Sequence, residues 1–259
     1  MTHPPERFLP SAITPLHTEE FAPDAPGILL LYYRILSDAL GPMHWWPAQT
    51  PFEVIIGAIL TQNTAWSNVE RALDNLRRVR LMTPRAIHRV SIAQLERHLR
   101  PSGYFRQKAR RLKLFVRFLR SHYGGSLARM FRTPTAELRD QLLGIYGIGR
   151  ETADSILLYA GNHPIFVVDA YTQRIIERHA LLSNAFDYES ARNFFEVGLP
   201  RQAALYNEFH ALIVSVGKNW CHKRVPRCEE CPLASLLPPN AHLPRPPLMQ
   251  LPAVAMVQP

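Results

Sequence analysis

The sequence predicts an all-α fold of two helical subdomains with a cleft between them. Apolar residues recur with a period near 3.6 through most of the chain, and proline, hydroxyl or acidic residues stand where helices would start. A single apolar run, Pro164 to Val168, is too short and too β-branched for a helix. The chain has 259 residues, 47% of them hydrophobic, which is enough for a proper core without help from disulfides.

In order, the periodic segments are Ile28–Leu40, Pro51–Leu60, Trp66–Leu76, Ile92–Leu99, Lys108–His122, Thr135–Leu143, Arg150–Ala160, Ala170–His179, Glu189–Gly198 and Ala203–Lys218. Three starts carry capping chemistry: Thr50 before Pro51, Thr133 before Pro134, and Asp187 ahead of Glu189. The PIFVV run delivers Asp169 to the start of a helix. Residues 1–26 and 238–259 are proline-rich and read as flexible tails. Segments 27–48 and 162–237 form one expected subdomain and 49–161 the other.

With 30 Lys and Arg against 21 Asp and Glu, the formal charge is +9, which suits an anionic partner, either nucleic acid or an acidic membrane surface. No apolar run approaches the length of about 18 residues that spans a bilayer, and MTHPPERFLP has no leader pattern. The expectation is a soluble, cytoplasmic monomer with no membrane partner. The three cysteines, Cys221, Cys228 and Cys231, crowd one stretch, which favours a metal or cluster site over a disulfide framework.

In Leu142-Leu-Gly-Ile-Tyr-Gly-Ile-Gly-Arg-Glu-Thr-Ala153, apolar flanks surround Gly147-Ile148-Gly149. Glycines let the backbone turn tightly and come close to a ligand. The helix beginning near Arg150 directs free N–H groups and its positive dipole end at the turn, so an anion is favoured there. A DNA phosphate fits, and such a contact positions a protein without reading sequence.

LLGIYGIGRETADSILLYA followed by PIFVVDAYTQRI resembles the helix-hairpin-helix and Gly/Pro-Asp loop of the endonuclease III superfamily of DNA glycosylases. Pro51-Phe52-Glu53, LTQNT at Leu60 to Thr64, Gly103, Lys108-Ala109 and CHKRVPRCEEC extend the agreement to roughly Trp45 to Leu237. The resemblance implies base excision repair of double-stranded DNA containing a damaged base, in association with the nucleoid. Gly147, Ile148, Gly149, Arg150 and Thr152 would hold the DNA. Asp169, an N-cap on local grounds, becomes the catalytic carboxylate that stabilises the oxocarbenium-like sugar and orients or deprotonates water.

Bifunctional members carry a lysine one residue after the position of Arg150, and its amine attacks the sugar. Glu151 stands there in this chain and cannot form an imine, so a monofunctional enzyme is expected. Lys108, Lys113 and Lys218 are other amines, none of them placed at the sugar by the sequence. Trp45-Trp46-Pro47, the TQNT segment and a glutamate at the lysine position resemble the 3-methyladenine branch. Trp45, Trp46, Pro47 and Trp66 would form a base pocket, because aromatic faces hold a cationic alkylpurine by stacking and cation–π attraction. Gln62, with Asn63 as alternative, would fill the space left by a base rotated out of the stack.

Arg106, Lys108, Arg110, Arg111, Lys113, Arg117 and Arg120 crowd a single amphipathic segment, and some are expected near phosphates. The family's four-iron four-sulfur cluster uses cysteines spaced C-x6-C-x2-C-x5-C. Cys221, Cys228 and Cys231 match the first three positions, and Leu237 occupies the fourth. A 4Fe-4S cluster with an incomplete ligand set, zinc aided by His222, and no metal all remain open.

Overall fold

The computed structural model describes residues 27–182, 185–239 and 241. The expected tail 1–26, and 240 and 242–259 of the other tail, lie outside the described residues. Among the described residues the chain forms twelve α-helices and no β-strand. They are α1 (Ile28–Leu40), α2 (Pro51–Leu60), α3 (Trp66–Arg78), α4 (Pro84–Arg89), α5 (Ile92–Leu99), α6 (Phe105–Tyr123), α7 (Leu127–Met130), α8 (Thr135–Leu143), α9 (Arg150–Ser155), α10 (Ala170–Arg178), α11 (Tyr188–Gly198) and α12 (Ala203–Asn219). The helix at Arg150 runs on into a π-helical turn, Ile156–Ala160.

The short helices α4 and α7 are absent from the periodic reading, since six and four residues are too few for a 3.6-residue period to register. Side-chain caps explain half of the starts. The Thr50 side chain accepts from Glu53 N with Pro51 in the first turn, and the Asp187 side chain accepts from Ser190 N. Thr133 does not cap α8; Pro134 holds that position without a side-chain bond. The Thr133 hydroxyl meets the Tyr123 hydroxyl at 3.1 Å instead.

Helix α2 is the hub, with every residue from Phe52 to Leu60 buried, as an element apolar on all sides must be. Its single charge, Glu53, is paired with Arg77. The PIFVV run crosses the interior in extended form with Ile165 to Val168 buried, and Phe166 stacks on Phe195 at 4.0 Å between ring centroids. This anchored strap fixes where Asp169 emerges. The cysteine loop is tied to α10: Arg174 Nε donates to Cys221 O at 2.7 Å, and Arg178 Nη2 to Lys223 O at 3.1 Å. No helix among the described residues is long and apolar enough to cross a membrane.

Candidate active site

The turn joining α8 to α9 sets one edge of the site. Gly147 has φ of +86°, and a Cβ there would run into the Arg111 side chain, so this position excludes a side chain twice over. Gly149 caps α9 with extended backbone, and a Cβ there would meet nothing within 4 Å. Only the first glycine is demanded by the fold. The second leaves the start of the helix open to whatever approaches. Ile148 is buried and packs into the core, while Arg150 is exposed and pairs with Glu189 at 3.1 Å.

Gln62 is consumed by this hairpin. Its Nε2 donates to Gly147 O at 3.1 Å and to Thr152 Oγ1 at 2.9 Å, and its Oε1 accepts from Arg111. An amide engaged at both ends braces the hairpin, and it belongs to the residue expected to fill the space left by a base rotated out of the stack. Asn63 is exposed, with φ of +52°, and lies on the rim.

A cleft of about 1000 Å³ runs beside the hairpin, with walls drawn from both expected subdomains. Asp169, Glu151, Trp45, Trp46, Trp66, Tyr159, His210 and Lys218 all line it. Asp169 caps α10: its Oδ1 accepts from Tyr171 N at 2.9 Å, Thr172 N at 2.8 Å and Thr172 Oγ1 at 3.0 Å. With 15% of its side chain exposed, it is both a cap and a wall of the cleft. Glu151 is reached by solvent yet enclosed by the cleft walls. Desolvation, helped by the negative charge of Asp169, pushes its carboxyl up to about 7. Glu151 therefore holds a proton over a range where an ordinary carboxyl does not.

The tryptophans form a contiguous wall. Ring centroids of Trp45 and Trp46 lie 5.4 Å apart, Trp46 and Trp66 5.1 Å, and Trp46 and Tyr159 5.2 Å. Rings at those separations touch one another, so a base can lie across the wall but cannot slide between its members. The wall rests on α2, where a Cβ at Gly57 would come within 3.1 Å of Trp46 Cζ2. Pro47 is exposed and does not line the cleft.

Several residues that shape the site escape the sequence patterns. His210, Val214 and Lys218 recur every four residues on α12 and present one face to the cleft, a spacing that could have flagged them. Lys218 Nζ sits 5.3 Å from the Trp45 ring centroid. Asp154, fully buried, takes a two-pronged bond from Arg139, with Nε at 2.7 Å and Nη2 at 3.1 Å, and a third from the Tyr188 hydroxyl at 2.8 Å. This cluster locks the helix that carries Glu151 to α8 and α11. Lys108 is also buried, its Nζ donating to Ser102 O at 2.6 Å, and burial lowers its pKa to about 8. Lys113 Nζ donates to His88 O at 3.1 Å and also to Val90 O. Lys108 is therefore not free to meet a phosphate, whereas Arg106, Arg110, Arg117 and Arg120 are exposed.

Cys221, Cys228, Cys231 and Leu237 line one small cavity beside Arg178, His179 and Trp220. Arg178 Nη1 donates to Cys221 Sγ at 3.0 Å. Among the described residues no three His, Cys, Asp or Glu side chains stand close enough to hold a metal ion. His222 is exposed and outside the cavity lining, and Leu237 has no donor atom. As arranged, the residues do not fit a cluster held by four thiolates.

The helical fold, the glycine hairpin and a cleft holding a capping aspartate are the layout of a DNA glycosylase. A profile for the HhH-GPD superfamily of base excision DNA repair proteins matches residues 56–201, and the chain belongs to that superfamily. A Methanocaldococcus jannaschii protein described as a candidate DNA repair glycosylase, MJ1434, is 44% identical over 203 residues, covering 78% of this chain and 91% of the relative. Endonuclease III of Thermotoga maritima is 30% identical over 181 residues, 70% of this chain and 79% of the relative. Among solved structures, the H. pylori 3-methyladenine DNA glycosylase MagIII bound to 1,N6-ethenoadenine has a TM-score of 0.66 at 29% identity. It covers 73% of this chain and 97% of MagIII.

Proposed function

We propose that this glycosylase is monofunctional and hydrolyses the N-glycosidic bond of an alkylated purine in double-stranded DNA. The observation that carries the reading is the shared cleft of Asp169 and Glu151, with an aromatic wall at its side and no amine at the hairpin position. DNA would lie between the two helical subdomains. Its backbone would approach the open α9 start at Gly149, with Arg150 and the exposed arginines of α6 nearby.

A base turned out of the stack would lie across Trp45, Trp46 and Trp66, attracted by the ring faces when it is cationic. Asn63, free at the rim, would fill the gap. As the base departs, the Asp169 carboxylate stabilises positive charge on the sugar and orients water. Glu151, with its raised pKa, can exchange a proton with the leaving base or the water. The 3-methyladenine and 1,N6-ethenoadenine named for MagIII suit this assignment.

Chromatography of bases liberated from methylated duplex DNA tests it. Methylated purines should appear with the wild type and vanish with Asp169→Asn; release of only oxidised or deaminated bases would sink the alkylpurine assignment.

Lys218 supports a second reading, since it brings an amine into the cleft. If that amine attacked the sugar, the enzyme would be bifunctional and act on oxidised pyrimidines. Borohydride would then trap a protein–DNA adduct that Lys218→Ala abolishes.

A further inference from the structure

Between the aromatic wall and Asp169 lie two side chains with no assigned role, Tyr159 and His210. Tyr159 comes from the π-helical turn that follows α9, and His210, 5% exposed, comes from the middle of α12. The Tyr159 hydroxyl is hydrogen-bonded to His210 Nδ1. On the far side of the ring, His210 Nε2 is buried without a hydrogen-bond partner and lies 3.8 Å from Asp169 Oδ1. We propose that Tyr159 and His210 form a proton-ordered relay that makes His210 a positioning residue for Asp169, holding Oδ1 and leaving Oδ2 as the reacting oxygen. The inference rests on the reading of Asp169 as the catalytic carboxylate.

Donor and acceptor rules set the direction of the relay. The Asp169 oxygen 3.8 Å from His210 Nε2 can only accept, which favours hydrogen on that nitrogen and leaves Nδ1 to take the proton of the Tyr159 hydroxyl. A neutral imidazole that accepts at Nδ1 must carry its hydrogen at Nε2, which is the atom turned toward the carboxylate. Burial favours the neutral ring over the cation, in agreement with this tautomer.

Asp169 supplies the other half of the argument. All three protein hydrogen bonds to its carboxylate end on Oδ1, from two backbone amides and one hydroxyl. His210 Nε2 stands 3.8 Å from the same oxygen, beyond hydrogen-bond length, so its N–H dipole adds an electrostatic hold on Oδ1. Oδ2 receives no hydrogen bond from the described residues. The two oxygens therefore differ: one is held, and the other keeps its lone pairs for the sugar carbon or the attacking water.

The experiment has two arms. In the first, nitrogen NMR of histidine-labelled protein reads the His210 tautomer without any substrate. The wild type should show hydrogen at Nε2, and Tyr159→Phe should lose that preference. Hydrogen at Nδ1 in the wild type would overturn the relay. In the second, single-turnover release of bases from methylated duplex is compared with affinity for the same duplex.

Tyr159→Phe and His210→Leu should slow release by about tenfold to a hundredfold, the range seen when a group that orients a catalytic ligand is lost, with affinity unchanged. His210→Gln, which keeps a donor and an acceptor, should restore most of the rate. The Tyr159→Phe, His210→Leu double variant should be no slower than His210→Leu alone, because the two act as a unit. Additive losses, or no loss in either single variant, would overturn the proposal. If the wild type releases no base, the glycosylase reading fails separately, and the tautomer arm still decides the relay.

Discussion

The carboxyl of Glu151 and the carboxylate of Asp169 share one cleft, and the charge of the second helps hold a proton on the first up to about pH 7. A carboxyl that keeps its proton to near neutrality can act as an acid where an ordinary one cannot. The arrangement also has a cost in stability that can be measured.

In the unfolded chain the Glu151 carboxyl titrates near its ordinary value of 4.5, and in the folded chain near 7. Between those values the folded state holds the extra proton, so this group makes stability fall as pH rises through the window, and above it the penalty is complete. Glutamine carries no such penalty. Glu151→Gln should melt above the wild type at pH 8 and level with it at pH 4, as followed by circular dichroism. A constant difference across that range would contradict the assignment.

Asp154 and Arg139 form a buried pair with two bonds between them. Arg139 keeps Glu189 as a partner when Asp154 is removed, but removing Arg139 leaves the buried Asp154 with the Tyr188 hydroxyl and no cation, which costs about 3–5 kcal/mol. Arg139→Ala should lower the denaturant stability by that amount and loosen the helix that carries Glu151. Replacing both partners with apolar residues of similar size should cost much less. A loss under about 1 kcal/mol in the single variant, the scale of an exposed pair, would show that the pair is solvated.

The two hairpin glycines should respond differently. Gly147→Ala forces a side chain into a left-handed position and against Arg111, so stability should fall by about 1–2 kcal/mol or more. Gly149→Ala meets no neighbour and should fold normally. Its effect should appear as weaker DNA binding in a fluorescence anisotropy titration, since the methyl group stands where the backbone is open to a phosphate. Full affinity in Gly149→Ala would move the phosphate contact elsewhere.

Leu237 is the one position that separates the cysteine loop from a set of four thiols. Leu237→Cys should therefore raise the iron and sulfide bound per chain over the wild type, measured by elemental analysis after anaerobic preparation. Equal loading would mean that Arg178, bonded to Cys221, and not the missing thiol, sets the chemistry of the cavity.

The sequence made most of the long helices legible because they bury one face, and period follows burial. It made Asp169 legible through the PIFVV run, whose interior course needs no partner strand. Short helices such as α4 left no period to read. The bracing role of Gln62 was not legible, because its two bonds to the hairpin and the one from Arg111 join segments 49 to 90 residues apart, which no local pattern reports. Lys108 looked like part of a basic face, but its position in α6 faces the core. His210 was hidden in an apolar helix, where a single polar residue has no meaning until its neighbours from other helices are known.

Three of the four tryptophans, Trp45, Trp46 and Trp66, stand in mutual contact along the cleft, and Trp220 lines the cysteine cavity. The intrinsic ultraviolet emission of the protein thus comes from two places. A ligand stacking on the wall quenches most of the light, and events in the cysteine loop touch only the remainder. Trp220→Phe leaves an optical probe confined to the cleft, with no dye attached.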